Sequence, residues 1–113
     1  MAFAVTGSAM AADATVVYVE PASKDVVLYQ GGPIQARAVF LDAAGQVATT
    51  YGGAQIGDAV LELKSANYAP AVTFDPGSPV NIDNSGVQEF TITYNPAVIT
   101  ELGDDIITAT LKK

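Results

Sequence analysis

The chain contains no cysteine, no histidine and no tryptophan. Without cysteine there is no disulfide, no thiolate metal site and no cysteine nucleophile. Without histidine the usual general base near neutral pH and the commonest metal ligand are both missing. Basic residues are scarce too: Lys24, Arg37, Lys64, Lys112 and Lys113 stand against 12 acids, giving a net charge of −7. They are scattered, so no basic stripe is offered to nucleic acid or to an anionic membrane surface. No apolar run approaches the roughly 20 residues that cross a bilayer, so no membrane insertion is expected. A serine or threonine nucleophile has no histidine to activate it. Paired carboxylates would need a deep cleft for glycoside chemistry. The composition therefore points away from an enzyme.

What is present is a chain of 113 residues, 50% apolar and 15% charged, which suits one folded domain with its own core. Its hydrophobic period is two. In "IQARAVFL" Ile34, Ala36, Ala38 and Phe40 share one face, and Gln35, Arg37, Val39 and Leu41 the other. In "QEFTITY" Phe90, Ile92 and Tyr94 alternate with polar residues, and in "IITATLK" Ile107, Ala109 and Leu111 alternate with Ile106, Thr108 and Thr110. Alternation of this kind predicts strands with one buried face. Turn signals separate the runs: "PASKD", "QGGP", "DAAGQ", "YGGAQ", "FDPGSP", "DNSG" and "ELGDD". The expected strands lie near 15–20, 25–29, 34–41, 46–50, 59–65, 71–74, 87–94 and 105–112, with one helical turn in "NPAVITELG". Short strands at this spacing predict an all-β antiparallel sandwich of about seven or eight strands. The expected core is Val17, Val19, Leu28, Ile34, Ala36, Ala38, Phe40, Leu61, Leu63, Phe74, Phe90, Ile92, Ile107, Ala109 and Leu111.

The opening "MAFAVTGSAMAADA" admits two readings. Ala9-Met10-Ala11 fits the small-residue pattern at the end of an export signal, with cleavage before Ala12. Alternatively "AFAVTGS" is a strand, with Ala2, Ala4 and Thr6 facing one way and Phe3 and Val5 the other, either in its own sheet or as an arm on a neighbouring subunit. Residues 1–11 are thus the remnant of an export signal or an N-terminal arm, and residues 12–113 the domain.

The stretch "IQARAVFLDAAGQVAT" resembles the bacterial immunoglobulin-like domains of the invasin and intimin type. Ala36, Ala38, Asp42, Gly45 and Val47 match their strand, Asp-x-x-Gly turn and following strand. "VNIDNSGVQEFTITY" resembles their second turn-and-strand unit through Asn84, Gly86, Phe90 and Ile92, and "DDIITATLKK" resembles their last strand. The resemblance implies an immunoglobulin-like sandwich serving as a spacer or adhesive module of an exported bacterial surface protein. Neighbouring domains and a protein or glycan at a cell surface would be its partners. The alternatives are a self-assembling subunit of a pilus, surface layer or phage particle that exchanges its N-terminal arm, and a carbohydrate-binding module.

Several residue groups invite chemistry. Asp104 and Asp105, with Asp42 or Glu101, are weak calcium candidates at one end of the fold; a solvated turn is the competing reading. "NIDNSG" starts like a calcium loop, but its twelfth position is Ile92 rather than a glutamate, so a turn accounts for it. Lys64 and Asn95, beside Glu62 or Glu89, raise an intramolecular isopeptide bond, which needs all three groups buried together. Tyr51 and Tyr68 sit beside glycine or proline in expected loops and are the contact candidates. No cofactor is expected beyond that calcium.

Overall fold

Strand β2 (Ile34–Leu41) alternates inward and outward residues over its whole length and has a partner on each side. The computed structural model describes residues 12–26 and 33–113. Strand β1 (Val16–Glu20) pairs antiparallel with β2 along one edge, and β8 (Val87–Tyr94) along the other. Strand β6 (Val72–Asp75) closes the four-stranded sheet against β8. A second antiparallel sheet has β5 (Val60–Ser65) at its centre, between β7 (Val80–Asn81) and β9 (Ile107–Lys112). A short ribbon of β3 (Thr50–Tyr51) and β4 (Ala54–Gln55) completes the strands. The only helical pieces among the described residues are three 3-10 turns, at Ile56–Asp58, Ala69–Ala71 and Pro96–Val98.

The two sheets share one core. Ala36, Ala38, Phe40, Phe90 and Ile92 from the first lie in one cluster with Leu61, Leu63, Val80 and Leu111 from the second. Phe40 is wholly excluded from solvent and lies opposite Val17 of β1. Phe74 and Phe90 meet edge to face at 6.3 Å between ring centres, a geometry that aromatic quadrupoles favour. Every expected core residue that falls among the described ones is buried or packed against this cluster; Leu28 and most of the expected strand 25–29 lie outside the described residues. Asp25 and Val26 belong to no strand.

Two expectations change. The strand expected at 46–50 is replaced by a bridge between Leu41 and Val47 followed by the β3–β4 ribbon. Gly52 and Gly53 both have positive φ, 61° and 81°, which is what a tight two-residue hairpin demands. The turn therefore comes later than the alternation implies. The outward face of the first sheet is also not uniformly polar. Val16 and Leu41, and Tyr18, Val39 and Val87, pair across strands on that face. Val47 joins them by lying over Gly86, where an added Cβ would come within 2.4 Å of its methyl group.

The register defines two poles. Ala14 N–H donates to the Thr50 carbonyl (2.9 Å), and Lys113 Nζ reaches the Gly52 carbonyl (3.4 Å). Residues 12–14, the Asp42 turn, the β3–β4 ribbon and the end of β9 thus share a proximal pole. The opposite, distal pole carries the ends of β8 and β5, the start of β9 and the segments 66–71 and 95–106.

Phe40→Ala is expected to destabilise the domain by about 3–5 kcal/mol, because it empties the centre of the core. Gly86→Ala is expected to cost about 2–4 kcal/mol from positive φ and from the clash with Val47. Urea titration of both variants measures this, and a loss below ~1 kcal/mol for either would contradict the packing described.

Candidate functional site

Asp42 follows β2 directly, and the turn "DAAGQ" wraps around its side chain. Its carboxylate accepts from the N–H groups of Ala44 and Gln46, both at 2.9 Å, and of Ala12 at 3.1 Å. The Gln46 N–H does most to hold the carboxyl below its ordinary range; burial opposes this, and the Ala12, Ala44 and Gly45 N–H groups add to the lowering. Asp13 acts similarly nearby, accepting from the Thr50 hydroxyl at 2.5 Å and the Gly53 N–H at 2.9 Å, so that its carboxyl is also lowered. At this pole Asp42 ties the start of the domain to a turn, and Asp13 ties it to the β3–β4 ribbon.

Asp105 does the corresponding work at the distal pole, with three of its partners remote in sequence. It accepts from the Ser65 hydroxyl (2.5 Å), the Tyr94 hydroxyl (2.8 Å), the Asn67 N–H (2.8 Å) and the Ile106 N–H (2.9 Å). The Ser65 hydroxyl in turn accepts from the Tyr68 N–H at 3.0 Å. One carboxylate therefore fastens the end of β5, the end of β8 and the start of β9. Burial works to raise the Asp105 carboxyl, but its four donors outweigh it and hold the group below the usual range. Tyr94 moves the other way: burial first, then the hydrogen bond and charge of Asp105, push its phenol well above the ordinary tyrosine range.

The expected calcium ligands are not brought together. Asp42 lies at the proximal pole and Asp105 at the distal one, each spent on N–H or O–H donors of the chain itself, while Asp104 is exposed and gives its backbone carbonyl to Asn67 Nδ2 at 2.8 Å. Among the described residues no three acids gather into a cation cage. Glu101 offers its carbonyl to the Tyr68 hydroxyl at 3.0 Å. In "NIDNSG" Asn84 accepts from the Gly57 N–H (2.7 Å), and Ile92 is buried opposite Ile34, so the segment is a turn that buttresses the loop at 55–57. Lys64 lies exposed on the solvent side of β5, opposite Thr108. Asn95 follows β8 in the other sheet and caps the 3-10 turn at Pro96–Val98 by accepting from the Ala97 N–H at 3.1 Å. They do not meet.

The two tyrosine candidates part as well. Tyr51 packs against the core at the proximal pole and donates to the Leu111 carbonyl at 3.3 Å. Tyr68 stands at the distal pole, edge to face with Tyr94 at 6.3 Å. There it borders an open cleft of about 610 Å³ with Ile34, Ile92 and Ile107 among its lining, together with Leu102, which is 85% exposed, and Ile106, 65% exposed. The only signals for this cleft in the sequence are the apolar residues in the polar stretch "ITELGDDII". Comparison with protein-family models, curated proteins and solved structures gives no match.

The chain has no histidine, the side chain that ordinarily changes charge near neutral pH. The lowered carboxyls of Asp13, Asp42, Asp83 and Asp105 contribute stability that is present above their unfolded value near 4 and lost as pH falls through their folded values. The raised phenol of Tyr94 contributes stability present below about pH 10 and lost above it. The melting temperature is therefore expected to be flat from about pH 5 to 9 and to fall on both sides. Asp105→Asn is expected to lower the plateau by several degrees and flatten the acid shoulder. An unchanged acid shoulder would contradict the role given to Asp105.

Proposed function

We propose that the chain is a non-catalytic, immunoglobulin-like adhesive module of an exported bacterial surface protein, with its contacts at the distal pole. The strand order supports the immunoglobulin part. β1-β2-β8-β6 in one sheet and β5-β9 in the other follow the order in which immunoglobulin domains place strands A-B-E-D and C-F.

The observation that carries the adhesive part is the exposed apolar surface at the distal pole. Asp13 binds the Gly53 N–H and Lys113 the Gly52 carbonyl, on adjacent residues of one hairpin. The distal pole lies at the other end of the domain from that hairpin. There Tyr68, Leu102 and Ile106 supply an aromatic and apolar surface, and exposed apolar groups of this kind carry binding energy when a partner covers them.

Beads carrying the protein coupled through its proximal pole are expected to adhere to a glycan or protein of a cell surface. Tyr68→Ala and Leu102→Ser should each weaken adhesion roughly tenfold, while Tyr51→Phe leaves it unchanged. Adhesion on neither cells nor glycan arrays, or equal loss in Tyr51→Phe, would overturn the reading.

A further inference from the structure

The second sheet is paired along part of its β5 side and open along its β9 side. Ala66 N–H donates to the Ile106 carbonyl at 2.9 Å, just beyond the paired run from Val60↔Lys112 to Ser65↔Ile107. In an antiparallel ladder bonded pairs alternate with non-bonded ones. Ser65/Ile107, Leu63/Ala109 and Leu61/Leu111 are therefore the non-bonded pairs, and their N–H and C=O groups point away from each other. Two bonds agree with this phase: the Leu63 N–H turns outward to Ser78 Oγ (2.9 Å), and the Leu111 carbonyl turns outward to the Tyr51 hydroxyl (3.3 Å). On the β5 side, β7 pairs at Val60 and Leu61, and Ser78 takes the Leu63 N–H. On the β9 side the outward N–H groups of Ile107, Ala109 and Leu111, and the carbonyls of Ile107 and Ala109, have no hydrogen-bond partner among the described residues. Such a row is a template for another strand.

We propose that this edge of β9 receives residues 2–6, Ala-Phe-Ala-Val-Thr, of a second copy of the chain. Residues 1–11 precede the point where the Ala12 N–H is held by Asp42, and at about 3.3 Å per residue they reach roughly 36 Å. The six residues of β9 need roughly 20 Å of that. β1 runs from the proximal to the distal pole, and Ala12 stands at the proximal one. Covering its own β9 would require a reversal and a parallel ladder, because β9 also runs toward that pole. A second copy can offer the same residues antiparallel, the slightly more stable pairing, and two copies can exchange arms across a twofold axis. Phe3 and Val5 then extend the inward row of Ile107, Ala109 and Leu111.

Charge favours the same match. The chain carries −7 overall, but residues 1–12 hold no ionisable side chain, and Ile106–Lys113 holds two lysines and no acid. Docking thus brings together the least acidic parts of two acidic molecules.

Light scattering on a sizing column, with amide exchange, tests this on the full chain, on a chain starting at Ala12 and on Val5→Pro. The proline removes an arm N–H and leaves residues 12–113 untouched. The full chain is expected to run at twice the chain mass, with Ile107, Ala109 and Leu111 amides protected. The truncated and Val5→Pro proteins are expected to run as monomers, with those amides exchanging at least roughly tenfold faster. A monomeric full chain overturns the proposal, whether its β9 amides are exposed or are protected by its own arm. So does a dimer that survives Val5→Pro.

Discussion

The molecule depends on how the interior of β2 is filled. Ala36, Ala38 and Phe40 present small, small and large in turn toward the second sheet, and Leu61, Leu63 and Leu111 fill the space opposite. Alanines let the sheets come close, and Phe40 occupies the depth that remains. Because side chains alternate with a period of two, this row also sets the register of β1 and β8. A slip of one residue would turn Phe40 outward and bring Arg37 into the core. The positions of both poles follow from that register.

Once the strands are set, the polar residues with most partners fasten the ends. Asp13 and Asp42 hold the proximal pole and Asp105 the distal one, each by accepting from N–H or O–H groups that loops would otherwise leave unsatisfied. An acidic chain without histidine or cysteine thus puts key carboxylates to structural use. The surfaces proposed for recognition are apolar: the cleft beside Tyr68 and the open edge of β9. The two lie apart, the cleft at the distal pole and the edge along the side of the second sheet.

Much of this was legible in the sequence. The runs at 34–41 and 87–94 are the observed β2 and β8 residue for residue, because both alternate over most of their length between clear turn signals. Strands of two residues, such as β4 and β7, carry no period and could not be read. Nor could the burial of Ile56, which sits on a 3-10 turn, or of Ala14, Ala48 and Ala59 beneath loops. The pair Asp104 and Asp105 illustrates the limit on sites. Adjacent acids look alike in sequence, yet one is exposed and the other binds Ser65, Asn67 and Tyr94, partners that only the fold brings near. Tyr51 and Tyr68, similar by their neighbours in sequence, end at opposite poles for the same reason.

The central claim is that residues 12 and 113 lie at one pole and the loop at 104 at the other. Because the chain has no cysteine, spin labels can be placed in pairs without background. Pulsed electron resonance on Ala12→Cys/Lys113→Cys and Ala12→Cys/Asp104→Cys, with each labelled protein diluted in unlabelled protein, compares the two distances within one chain. The account predicts that the first is clearly the shorter, by about the length of a strand or roughly 20 Å. A first distance equal to or longer than the second would contradict it.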